Sequence, residues 1–119
     1  MLTHNEKFQK SKRLLSSEEY KNVFSESQRF VDRTLLIQVR PNDLGFPRLG
    51  LIIKKKHVKR ATDRNRIKRV VREYFRKNQD IQGLDIIVTT REGAKQLSND
   101  EIRGCLYNLW KKLNEFFKQ

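Results

Sequence analysis

The chain is 119 residues long, 36% hydrophobic and 34% charged, and its 27 Lys and Arg against 14 Asp and Glu give a formal charge of +13. That length suits one domain with one core, and so large a positive excess points to polyanionic partners. Cys105 is the only cysteine, which excludes an intramolecular disulfide and any multi-cysteine zinc site.

No apolar run approaches the roughly 18 residues of a membrane helix. The opening MLTHNEKFQKSKRLL lacks the apolar centre of a secretory signal, so a cytoplasmic, membrane-free setting is expected. No internal repeat, Pro-rich or Gly/Ser-rich linker divides the sequence, and the whole of 1–119 reads as one domain with residues 1–12 expected to be flexible.

Ser16 and Glu19 have capping-box spacing and open a short helix whose apolar stripe is Tyr20, Val23 and Phe24. Residues 34–40 alternate as a strand, with Leu35, Ile37 and Val39 on one face and Leu36 and Gln38 on the other. After the turn-forming PNDLGFP, residues 48–54 read as a second strand carrying Leu49, Leu51 and Ile53 on one face. The short connection predicts an antiparallel pair.

A further helix is expected to start near Thr62 or Asp63, either of which can cap it, with Ile67, Val70, Val71, Tyr74 and Phe75 turned inward. At about 100° per residue, Asn65, Arg69, Arg72 and Arg76 then point outward, while Arg66 and Lys68 flank the stripe on opposite sides. Residues 84–90 form a strand apolar on both faces, expected at the centre of the sheet. Ser98 and Glu101 make a second capping box, ahead of a long amphipathic helix bearing Ile102, Cys105, Leu106, Leu109, Trp110, Leu113 and Phe117. The order of elements implies a two-layer α/β sandwich, helices on a sheet of three or four strands.

Most of the charge is local. Residues 54–72, KKKHVKRATDRNRIKRVVR, hold ten Lys or Arg against Asp63 alone, so this stretch carries +9 of the total +13. One carboxylate cannot neutralise ten cations, and an unbalanced surface repels itself unless an anion docks there. Arg suits bidentate phosphate contacts, and the amides at a helix start add to the attraction. Folded RNA is the expected ligand.

Catalytic chemistry finds less support. Asp63 and Glu73 sit in basic sequence, where capping or ion pairing explains them, and Asp85 lies in a strand with no acidic neighbour, so no carboxylate cluster for Mg²⁺ stands out. His4 and His57 read as solvated or phosphate-contacting residues and not as an acid/base pair. No phosphate-cradling Gly-rich motif occurs. Cys105, on an apolar helix face, reads as a small core residue whose burial raises its pKa.

Arg64-Asn65-Arg66-Ile67-Lys68-Arg69, followed by Arg72-Glu73, resembles the RNR signature of the ribonuclease P protein family. The resemblance extends over roughly residues 8–114, taking in Arg13-Leu14-Leu15, Tyr20, Val23-Phe24, Pro47-Arg48-Leu49-Gly50-Leu51, Lys55-Lys56, Ala61, Gly83, Asp85, Ile87-Val88, Leu109-Trp110 and Leu113. Two positions depart from the family pattern: Lys54 stands where a small residue is common, and Ile37 where some members carry an aromatic.

The resemblance implies an α+β fold, a mixed sheet of about four strands with three helices and a left-handed βαβ crossover, like the second domain of ribosomal protein S5. It implies the protein subunit of an endoribonuclease that removes the 5′ leader of precursor tRNA, with catalysis and Mg²⁺ in the catalytic RNA and a 1:1 ribonucleoprotein. By the same resemblance Arg64, Asn65, Arg66, Lys68, Arg69 and Arg72 would contact the catalytic RNA. Tyr20, Phe24, Lys55 and Lys56 would hold the leader. The competing expectations are a ribosomal or other structural RNA-binding protein, and a DNA-binding module reading the major groove with its basic helix.

Overall fold

A computed structural model of the chain describes residues 13, 14, 16–78 and 83–117, so the expectation for residues 1–12 lies outside the described residues. The elements in order are α1 (Ser17–Ser25), β1 (Gln28–Val31), β2 (Leu35–Pro41), β3 (Arg48–Ile52), α2 (Ala61–Lys77), β4 (Leu84–Thr90), a 3₁₀ turn (Glu92–Ala94) and α3 (Asn99–Phe117).

The four strands form one mixed sheet in the order β1-β2-β4-β3. β2 pairs antiparallel with both β1 and β4, and β3 runs parallel to β4 through the α2 connection. Every residue of β4 is buried, as its two-sided apolarity predicts for a central strand. That position overturns the expected antiparallel pairing of residues 34–40 with 48–54: β4 lies between them. The short turn brings the two strands to opposite sides of a slot that only a strand greasy on both faces can fill. β1, QRFV, is too short and polar to announce itself, and it takes an edge.

Alternation sorts the side chains into two layers. Leu35, Ile37 and Val39 of β2, Leu49 of β3 and Ile86 and Val88 of β4 face α2 and α3. They pack against Ile67, Val70, Val71 and Phe75 of α2 and Ile102, Leu106, Leu109, Trp110 and Leu113 of α3, the stripes expected from helical spacing. Trp110 meets Tyr74 and Phe75 edge to face, with ring centroids 5.4 and 6.4 Å apart, and so fastens α3 to α2. Phe75 is fully buried, so truncating it to Ala would cost about 3–5 kcal/mol.

The other face of the sheet carries a smaller cluster, Leu14, Val23 and Ile87, with Tyr20 and Ile52 packed on it. α1 is thereby held on this face. Both capping boxes form as the sequence predicts: Ser16 Oγ accepts from the Glu19 amide at 3.1 Å while Glu19 Oε1 accepts from the Ser16 amide at 3.0 Å, and Ser98 and Glu101 repeat the exchange at 3.1 and 2.9 Å. α2 departs from expectation. It starts at Ala61 with Arg60 as its N-cap and without a side-chain capping bond, so neither Thr62 nor Asp63 caps it. Asp63 lies instead inside the first turn, where its charge favours the helix dipole.

Ile37 is fully buried towards α2 and α3. Period-2 alternation therefore places Gln38, and not Ile37, on the α1 side. The departure from the family pattern at Ile37 cannot touch anything bound there.

Candidate nucleic-acid interface

α2 is amphipathic, and its polar side is almost wholly cationic. With Ile67, Val70, Val71 and Phe75 inward, Asn65 and Arg69 are exposed, while Arg64, Arg66, Lys68, Arg72 and Arg76 are partly covered. Among the described residues, Asn65, Lys68, Arg69 and Arg72 are paired with no carboxylate. Asn65, Arg69 and Arg72 thus form a positive ridge on the outward side of α2 that no carboxylate among the described residues neutralises, as the sequence predicts.

The six cationic or amide positions expected to meet RNA divide among different surroundings. Arg64 turns back on its own chain: Nη1 donates to the carbonyls of Val58 and Lys59 at 3.0 and 2.7 Å, fixing the loop that enters the helix. Arg66 lies on the α3 flank, where Nη1 donates to Asn99 Oδ1 at 2.8 Å and Nη2 stands 3.6 Å from Asp63 Oδ1. Lys68 and Arg72 lie on the opposite flank, where a cleft of about 210 Å³ gathers them with Arg13, Leu14, Tyr20, Leu49 and Leu51. Burial and the nearby Arg13 guanidinium both lower the Arg72 pKa from its ordinary value.

Tyr20 and Phe24 have different roles although they lie one turn apart, their rings 6.3 Å between centroids. The Tyr20 ring rests on Gly50, where an added Cβ would come within 2.8 Å of it, and its hydroxyl accepts the Leu51 amide at 3.2 Å. Tyr20 is thus already used by the sheet. Phe24 is 45% exposed and offers an open ring beside the α1 face of the sheet.

Lys55 and Lys56 are exposed on the turn after β3. That turn is held against β4, because Thr90 Oγ1 accepts the Lys54 amide at 2.9 Å and lies 3.3 Å from His57 Nδ1. His57 thus has a structural neighbour, and His4 lies outside the described residues. Asp85 has an acidic neighbour that spacing could not reveal. Arg48 bridges it to Glu19, with Nη2 2.8 Å from Asp85 Oδ2 and Nη1 2.7 Å from Glu19 Oε2. Among the described residues, no three His, Cys, Asp or Glu side chains are grouped to hold a metal ion. Cys105 is half-buried beside Thr34 Oγ1 at 3.1 Å, and burial raises its thiol pKa, as expected of a packed residue.

Sequence reasoning missed one basic position. Lys95 is separated in sequence from the cationic run, yet it lines one cleft with Lys59, Arg60 and Arg66. No local pattern marks it, since only the packing of α3 on α2 brings it there.

Together, the mixed α+β sheet and the positive helix face define a small RNA-binding domain. The ribonuclease P family model matches residues 8–114 of the chain. The ribonuclease P protein component of Marinobacter nauticus is 44% identical over 113 residues, 94% of this chain and 86% of that protein. The RNase P protein of Staphylococcus aureus superposes with a TM-score of 0.81 at 28% identity, covering 87% of this chain and 96% of that one. That of Thermotoga maritima gives 0.75 at 31% identity, with 84% and 96% covered. The chain belongs to the ribonuclease P protein family, the protein components of a tRNA-processing endoribonuclease. Among the described residues, no helix is long and apolar enough to cross a membrane.

Proposed function

We propose that the chain docks on the catalytic RNA of ribonuclease P through the outward side of α2, one protein per RNA, and holds the 5′ leader of precursor tRNA beside α1. Asn65, Arg69 and Arg72 carry the RNA contact, with Arg66 and Lys68 on its two flanks. Arg64 acts behind them by fixing the loop that leads into the helix. Phe24 supplies the stacking surface for an unpaired base, and Lys55 and Lys56 attract its backbone, a combination that holds a single strand without reading its sequence. Tyr20 positions the leader site by fixing α1 on β3.

Bond cleavage and Mg²⁺ belong, in this reading, to the RNA. The support is that carboxylates of the chain already serve the fold: Arg48 bridges Glu19 and Asp85, and Asp32 Oδ1 accepts from the Thr34 and Leu35 amides. Such groups orient the fold and are not poised to collect a metal. The complex is placed in the cytoplasm, where precursor tRNA would meet it.

One observation carries the proposal: among the described residues, Lys68, Arg69 and Arg72 of α2 have no carboxylate partner. The test is reconstitution. Added to ribonuclease P RNA at low Mg²⁺, the chain is expected to raise cleavage of a leader-bearing precursor and to tighten its binding. Unchanged rate and affinity would overturn the reading in favour of a purely structural RNA-binding role.

A further inference from the structure

The geometry points to a second seat for RNA phosphate, adjoining the outward ridge at Arg66, in the cleft between the start of α2 and the loop that leads into α3. The inference rests on the RNA-docking reading above and extends its footprint across to α3.

The cleft has a volume of about 480 Å³ and is lined by Lys59, Arg60, Asp63, Arg66 and Lys95 with the backbone-rich stretch 96–98. Four cations face one carboxylate, leaving a local excess of +3. Lys59, Arg60 and Lys95 are exposed, and none of the three has a carboxylate partner among the described residues. Arg66 is oriented without being neutralised. Asn99 accepts one of its five N–H groups, and the Asp63 oxygen at 3.6 Å is a long contact for an ion pair, so donors remain for a ligand.

The site is built and not merely crowded. Lys95 follows the 3₁₀ turn, whose Ala94 is buried and whose Gly93 amide donates to the Arg33 carbonyl at 3.1 Å. A Cβ at Gly93 would stand 2.5 Å from that oxygen, so the close approach requires glycine. Leu97 packs on the main core on the far side of Lys95. Between two anchored neighbours the Lys95 backbone is fixed, which sets its side chain on the wall of the cleft that Arg66 also lines.

RNA is the occupant the placement favours. On a helical projection Arg66 lies about 60° round α2 from Arg69, so the cleft continues the ridge without a break. A strand or duplex backbone seated on Asn65 and Arg69 can place its next phosphates over Arg66 and Lys95. An excess of three charges suits successive phosphodiesters better than one monoanion.

The test uses the full chain and ribonuclease P RNA, with equilibrium binding measured across a salt series for Lys95→Glu, Arg69→Glu and Lys112→Glu. Lys112 is exposed on α3 well away from the cleft and serves as the charge control. Lys95→Glu is expected to weaken binding roughly tenfold and to lower the log-log salt slope by about 1, with thermal unfolding unchanged and Lys112→Glu nearly silent. If Arg69→Glu weakens binding and Lys95→Glu does not, the second seat is overturned and the α2 reading stands. If neither does, both fall. An equal loss from Lys112→Glu would reduce the effect to bulk charge and overturn the proposal. So would pyrophosphate binding lost in Lys95→Glu with RNA affinity intact, because the cleft would then serve a free anion.

Discussion

Arg48 grips Asp85 through two parallel hydrogen bonds, Nε to Oδ1 and Nη2 to Oδ2, both 2.8 Å, and reaches Glu19 with its remaining arm at 2.7 Å. Asp85 Oδ1 also accepts from Asn42 Nδ2 at 2.8 Å, and that amide donates in turn to the Phe46 carbonyl at 3.1 Å. One guanidinium thereby links the cap of α1, the start of β4 and the turn between β2 and β3. The Arg48 pKa is raised, first by its hydrogen bond to Asp85, so the charge persists at all working pH. Arg48→Ala strands a carboxylate that is 8% exposed and is expected to cost about 3 kcal/mol in urea unfolding. Arg48→Lys recovers only part of this, because one ammonium cannot match the two-pronged contact. A loss below 1 kcal/mol for both would show the network to be ornamental.

Gly50 lies directly under the Tyr20 ring, with no room for a side chain between them. Gly50→Ala forces a methyl group to within 2.8 Å of Tyr20 and should displace it, costing about 1–3 kcal/mol and loosening α1. Tyr20→Phe keeps the ring but leaves the Leu51 amide without its acceptor, a milder loss of about 1 kcal/mol. Amide exchange at Leu51 should speed up in both variants.

Phe24 gives a prediction of the opposite kind, an effect on substrate without one on stability. Its ring is 45% exposed, so Phe24→Ala should shift unfolding by less than about 0.5 kcal/mol. Affinity for a leader-bearing precursor should weaken by about 1–3 kcal/mol, while a leaderless tRNA binds as before. Equal losses for both substrates would remove Phe24 from the leader site.

Acid should reveal Asp32. Burial pushes its pKa up, but the amides of Thr34 and Leu35, both at 2.8 Å, and the Thr34 hydroxyl at 2.7 Å outweigh this and hold it below its ordinary 3.8. A depressed carboxylate pKa contributes stability in full above the unfolded value, and that stability is lost as pH falls through the folded one. Asp32→Asn is therefore expected to be less stable than the parent by about 1 kcal/mol near neutrality. The gap should close as the pH drops below about 4.

The helices are legible by their periodic apolar residues, and α1 and α3 a second time by a capping box. Ile67, Val70, Val71 and Phe75 fall inward as spacing requires, and Asn65 and Arg69 outward. Strand order was less legible. A turn of a few residues argues for local pairing of β2 and β3, whereas the order depends on which strand tolerates burial on both faces, a comparison between Leu84–Thr90 and its distant neighbours. The site divides along the same line. The ridge is a property of one helix, so it could be read. The inward turn of Arg64, the pairing of Arg66 with Asn99 and the arrival of Lys95 all depend on segments more than a turn apart in sequence meeting through packing, and local pattern holds no record of them.

The outer margin of β3 has a bearing on self-association. Leu14 donates its amide to the Leu49 carbonyl at 2.9 Å, residue 13 bridges to the same strand, and the Tyr20 hydroxyl takes up the Leu51 amide. That rim is already partly taken up by residues 13 and 14 and by Tyr20. The opposite rim is only the four residues of Gln28–Val31, with Arg29 among them. Short length and the Arg29 charge both discourage a second molecule from adding a strand there, so neither rim of the sheet offers a long open edge for pairing between copies.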